Sequence, residues 1–286
     1  MRMLVVLVGV VLVAGLGTTL WAGSALAGDP FEIQVYDGTA NGPGVAGLEL
    51  HLNNWATGHR VAPPPESPLH GQWHATLEPS LGITPFWELG LYIQGAIRTD
   101  EGAVDWAGVK ARSKFVTPPA LGAHFRFGLN VELSYLPATY DANRFGSELR
   151  PIVAWQNREW LFAFNPILDQ SFSGSGASLG PSFQPALKAW RTIGAVAVGF
   201  EYYATLGPLT AVLPAREEEH YVFEVIDLVG APPFELNAGV GEGLTEASAG
   251  IIFKVILGYS FDEPPALPTG AVCRACAIRG RATPSQ

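Results

Sequence analysis

The sequence predicts an all-β chain: a closed antiparallel transmembrane β-barrel of about twelve strands, with short periplasmic turns and longer extracellular loops. Three observations predict it. Stretch after stretch alternates apolar and polar residues at period two, over lengths beyond the usual strand of about five or six residues. No apolar run beyond the N-terminus approaches the roughly 20 residues of a spanning helix, and the best, Ile193 to Phe200, is far shorter. The connections between the alternating stretches are by turns long and short.

Each element can be justified in order. Leu48, Leu50 and Leu52 alternate with Glu49, His51 and Asn53 up to Trp55. From Gln72 to Thr84, Trp73, Ala75, Leu77, Leu81 and Ile83 oppose Gln72, His74, Thr76, Glu78 and Ser80. Trp87, Leu89, Leu91, Ile93 and Ile97 share a face of the third stretch, which ends at Arg98. Over 105–117, Trp106, Val109 and Phe115 interleave with Lys110, Arg112 and Lys114, at blurred parity. Phe125, Phe127, Leu129, Val131 and Leu133 oppose His124, Arg126, Asn130 and Glu132. Six more stretches follow at 145–156, 159–172, 181–191, 195–206, 219–229 and 234–241. The last, IIFKVILGYSF over 251–261, has a wholly apolar or aromatic odd set, while its even set admits Lys254, Gly258 and Ser260.

The long connections are 56–71, 135–144, 173–180 and 207–218; the short ones are 84–86, 117–121, 156–158, 192–194 and 230–233. The short link 98–104 falls on the long side and breaks the pattern. Tight turns on one rim and free loops on the other characterise an outer-membrane barrel. In hydrocarbon every backbone N–H and C=O must be paired internally, so a sheet survives there only when closed. One parity then meets lipid and the other the lumen, with aromatic residues gathered near strand ends. Trp55, Trp73, Trp87, Trp106, Tyr135, Trp160, Tyr259 and Phe261 are expected at those ends. An exported β-sandwich also alternates, but its strands are shorter and its loops need not alternate in length.

Composition narrows the class further. Of 286 residues, 48% are hydrophobic and 15% charged, which excludes a disordered chain; 33 glycines and 23 prolines suit many turns. A net charge of −9 without a basic stripe argues against a nucleic-acid partner. Residues 1–27 read as a cleavable signal peptide: Arg2, an apolar run from Met3 to Leu16, and the small-x-small site Ala25-Leu26-Ala27. Residues 28–45 are expected as an N-terminal periplasmic segment or an extra strand, since the stretch from Phe31 to Asp37 fits either a strand or a plug. The barrel is expected over 46–261 and a flexible tail over 262–286. The tail holds both cysteines, Cys273 and Cys276, a pair without the second ligand pair a metal site needs.

The close of the last strand resembles the terminal assembly signal of outer-membrane barrels. Lys254, Tyr259 and Phe261 match it; Ile256 stands where glycine is usual, and the chain continues past the final aromatic. This resemblance implies the barrel assembly machinery as a partner, beside outer-membrane lipids and lipopolysaccharide. More broadly, the stretches 199–209 and 234–245 and the closing strand resemble proteobacterial outer-membrane barrels grouped as transporters, similar to the phenol-degradation MetA-pathway family. That resemblance implies a transporter of hydrophobic or aromatic solutes and assigns no catalytic or ligand residue.

Parity nominates lumen-lining residues: Lys110, Arg112, Lys114, Arg126, Glu49, His51, His74, Glu78, Glu132 and Glu201, with Glu88, Glu148, Arg150, Lys188 and Glu224 among further inward positions. Opposed charges of this kind can steer a small solute through a narrow passage, or simply neutralise one another and hold the barrel's shape. No nucleophile motif is present, and histidines on separate strands do not spell a triad, so no enzyme is expected. No metal and no cofactor are expected, because the body lacks a metal-ligand spacing. The expected function is an outer-membrane channel or transporter of small solutes, exported to the bacterial outer membrane. The alternative is a structural or surface-interaction barrel that acts through its extracellular loops.

Overall fold

The computed structural model describes residues 29–98, 102–118, 124–229 and 232–261. The predicted signal peptide and the tail with Cys273 and Cys276 lie outside the described residues. Twelve strands form one sheet: β1 (Ala46–Asn54), β2 (Trp73–Thr84), β3 (Trp87–Arg98), β4 (Ala103–Val116), β5 (Phe125–Tyr135), β6 (Phe145–Gln156), β7 (Trp160–Ser171), β8 (Ser182–Ile193), β9 (Val196–Thr205), β10 (Glu219–Leu228), β11 (Phe234–Gly243) and β12 (Ile251–Phe261). Each strand pairs with its sequence neighbours, and the first pairs with the last, closing the barrel. Closure is antiparallel, from Ala46 opposite Phe261 to Asn54 opposite Phe253. No edge is left to expose unpaired backbone groups.

The outward parity is an apolar belt. Leu91, Ile93, Phe127, Leu133, Phe200 and Phe253 stand exposed on it, Phe127 at 51%. A water-soluble chain does not carry so continuous an apolar surface; this one is stable against lipid hydrocarbon. Paired aromatics mark the strand ends: Trp87 stacks with Phe115 and Trp106 with Tyr135, while Tyr259 meets Phe234 and Phe261 edge-on.

A β-bulge accounts for the blurred parity of β4. Gln94 pairs with Gly108 but Gly95 with Trp106, which leaves Ala107 as the extra residue. Trp106 and Val109 therefore both face outward despite opposite parity. Gly108 sits at φ 136°, and a Cβ there would lie 2.5 Å from the Tyr135 carbonyl oxygen, so only glycine fits.

Of the two readings of segment 29–45, it is not a strand of the barrel: it threads the lumen as a plug does. Near the rim of long loops, the Pro30 carbonyl accepts hydrogen bonds from Asn53 (3.0 Å) and His74 (3.1 Å). At the rim of short turns, the backbone N–H of Asn41 donates to Glu88 (2.6 Å) and its side chain to Ser80 (2.9 Å). Phe31, Ile33, Val35 and Tyr36 are all buried. Trp55, expected at an interfacial girdle, is likewise inside, 1% exposed and edge-on to Tyr221.

Candidate functional site

The lumen has two chemically different walls, and the threaded segment matches both. From β1 to β6 the inward positions carry charge. On β4, Lys110 pairs with Asp29, with Glu132 at 3.2 Å and with Glu32 at 3.7 Å. Arg112 meets Glu88 at 2.6 Å and Glu78 at 2.8 Å, and Lys114 reaches Glu88 at 2.9 Å. Arg126 bonds Asp37 at 3.2 Å. Arg150 holds Glu148 at 2.5 Å and also reaches Glu32 at 3.4 Å.

From β6 to β12 the inward positions are largely apolar or aromatic. Leu161, Ala163, Ile167, Ala186, Tyr203 and Phe223 pack around Ile33 and Val35 in one cluster. A smaller charged group, Lys188, Glu201 and Lys254, is set into this wall: Lys188 lies 3.0 Å from Glu201, and Lys254 donates to the same carboxylate.

The period-two pattern from Phe31 to Asp37, which reads as a strand, suits the segment to this lumen. Ile33 and Val35 turn to the apolar wall, while Glu32 and Tyr36 turn to the charged one. The Tyr36 hydroxyl lies 2.8 Å from Glu32 and 2.7 Å from the Tyr92 hydroxyl, and the Arg150 guanidinium sits 4.4 Å above its ring. The segment's backbone is bonded by side chains of the wall instead of a strand ladder. Asn165 both donates to and accepts from the backbone of Tyr36 (2.9 and 2.7 Å), Thr76 donates to the Phe31 carbonyl (3.0 Å), and Lys254 donates to the Ile33 carbonyl (3.0 Å).

Two carboxyls of the segment, outside the spanning strands, reflect this setting. Burial pushes the Glu32 carboxyl up, but Arg150 and Lys110 outweigh it and hold the group below its ordinary value. Burial likewise opposes ionisation of Asp37, and Arg126 with the Thr39 hydroxyl reverses the balance and lowers it.

All ten nominated lumen residues face inward. Lys110, Arg112, Lys114, Arg126, Glu78 and Glu132 belong to the charged wall. Glu49 and His51 join it, His51 Nε2 lying 3.4 Å from Glu49 and 3.2 Å from Glu78. These three groups have the composition of a metal-ligand set, but the Arg112 guanidinium already neutralises Glu78 at 2.8 Å. His51 Nε2, set between the two carboxylates, accounts for the geometry without a metal. His74 stands apart from them, stacked on Phe31 at 4.3 Å, and Glu201 lies in the opposite wall. Of the assembly-signal residues, Lys254 points inward, while Tyr259 and Phe261 lie on the outer face at the end of β12.

One inward assignment is wrong. Glu224 faces outward, because β10 turns Tyr221, Phe223 and Val225 into the lumen. Alternation alone assumes that the apolar parity meets lipid; here both parities of β10 are mostly apolar, and the threaded segment decides between them. Sequence reasoning also missed the segment's own Asp29, Glu32, Tyr36 and Asp37 as lumen groups. Their signal was an alternating stretch with spaced acids, ahead of strands rich in inward base.

No family model matches the sequence, and no curated protein matches it. Solved structures do resemble the chain. The KdgM porin aligns with a TM-score of 0.50 at 9% identity, covering 75% of this chain and 99% of that one. The NanC porin aligns with a TM-score of 0.47 at 7% identity, covering 75% and 98%. LpxR from Salmonella typhimurium aligns at 0.43 and 9%, covering 74% and 99%. The likeness to the first shows the fold alone, a closed antiparallel β-barrel like that porin's.

Proposed function

We propose that the chain is an outer-membrane channel for a small amphipathic solute, closed in this state by its own N-terminal segment. The observation that carries this reading is the manner of closure. A barrel meant to stay solid can be filled by the inward side chains of its strands. Here one separable segment closes the lumen, joined to the sheet at Ala46 and held by side-chain bonds that a solute could replace. The walls behind it pair acid with base on one side and offer aromatic and aliphatic surface on the other. A solute taking its place would carry charge on one face and apolar or aromatic surface on the other, in keeping with the aromatic solutes implied by the sequence resemblance. On this reading the short-turn rim is periplasmic and the long loops face outward.

Planar-bilayer conductance tests the proposal. Full-length protein is expected to pass small, intermittent currents, and a variant lacking residues 29–40 to pass larger, steady ones. Replacing Lys110, Arg112 and Lys114 with glutamine in that variant should shift its ion selectivity. Currents at the empty-bilayer background in the folded truncated variant would overturn the channel reading and favour a barrel that acts through its loops.

A further inference from the structure

The outer face of β9–β11 carries a carboxylate that the channel reading does not use. Glu224 lies at the middle of β10, exposed, opposite Phe200 on β9 and Val240 on β11. Val222 and Ile226 flank it on its own strand, so its neighbours on the outer face are apolar on every side. The other charged groups at outward strand positions lie near strand ends. Arg191 rests 5.5 Å over the Trp160 ring and Glu242 lies at the end of β11, while His220 bonds Glu218 and Tyr202 at the long-loop rim. Among the described outward residues, Glu224 is the one charged side chain at mid-strand.

The surface beside it is hollowed. Ala238 is small between the larger Ile226, Val240, Phe253 and Val255, and with Phe200 and Glu224 they line a groove of about 680 Å³. An ionisable group at hydrocarbon depth is costly, and such groups usually meet a partner of opposite charge. Packing in lipid also relies on small residues that let two surfaces approach. Both features occur here together.

We infer that this groove is a docking surface for a membrane-embedded polypeptide that presents a lysine or arginine to Glu224. The chemistry favours such a partner over a second copy meeting the same face, since that arrangement would set one Glu224 against another. It also favours it over lipid, whose chains offer the carboxylate nothing. The inference concerns the outer face and is independent of whether the lumen conducts.

The test uses the full chain folded in phosphatidylcholine vesicles, with a labelled leucine-rich spanning peptide carrying one central arginine as the probe. Energy transfer to the barrel reports association, and the same peptide with leucine at that position is the reference. The arginine peptide is expected to associate about tenfold more tightly than the leucine peptide, the scale of one polar contact in lipid. Glu224→Gln, which keeps the shape of the side chain, should erase the difference; Glu242→Gln at the rim should preserve it. Heat-shifted gel mobility verifies that each variant is folded. Equal association of the two peptides with wild-type barrel would overturn the inference. So would self-association of the wild-type barrel that Glu224→Gln abolishes, which would assign the face to a second copy.

Discussion

Lys254 connects three levels of the structure through one ammonium group. It lies in the most apolar strand of the chain, points inward, shares the Glu201 carboxylate with Lys188, and donates to the Ile33 carbonyl of the threaded segment at 3.0 Å. Its removal leaves Glu201 with one base and the segment without one of its tethers. Lys254→Met is expected to cost about 3 kcal/mol, the lower range for breaking a buried pair, because Lys188 still compensates Glu201. The urea midpoint of unfolding from lipid vesicles measures it, and an unchanged midpoint would show that Lys188 alone suffices. Gly108 is another position where one residue decides a local geometry. Gly108→Val places a branched side chain at φ 136° against the Tyr135 carbonyl, and is expected to cost about 1–3 kcal/mol in the same unfolding assay.

At the scale of the element, the threaded segment behaves as an internal ligand. Its alternation lets one extended stretch satisfy both walls, and its carboxylates Glu32 and Asp37 join the charge network through Arg150, Lys110 and Arg126. Both carboxyls are lowered when docked, so their contribution to docking is complete above the undocked values of 4.5 and 3.8 and is lost as pH falls through the docked ones. Acidification below about pH 4 should therefore loosen the segment and raise channel opening. Conductance recorded from pH 7 down to pH 3 measures this, with Glu32→Gln expected to flatten much of the acid response. A pH-independent open probability would show that hydrophobic contact at Ile33 and Val35, and not charge, holds the segment.

The whole molecule is an apolar cylinder around a mixed interior, so a cation should be costly on its outer surface and accommodated on its inner one. Leu91 lies mid-strand on the outer belt, 44% exposed to the surroundings. Leu91→Arg is expected to cost about 2–4 kcal/mol of stability in vesicles. The inward conservative change Lys114→Arg keeps the pairing with Glu88 and should leave the midpoint near wild type; equal effects of the two would contradict the assignment of faces.

The sequence by itself determined the strand count, the alternation of turns and loops and, on most strands, which parity meets lipid. These properties rest on local periodicity and on the demand that hydrocarbon makes of every backbone group. It also nominated the charged inward residues of β1 to β6, including Lys110, Arg112 and Lys114 of β4 despite the parity break at its bulge. Only the tertiary structure decided that residues 29–45 run inside the barrel, that Trp55 is a lumen residue, and that β10 turns Phe223 inward and Glu224 outward. Those outcomes depend on which surfaces meet across the lumen, between Ile33 and Leu161 or Glu32 and Arg150, at separations no local pattern encodes. A parity rule reads a strand against lipid and water alone, and cannot register an interior filled by another part of the same chain.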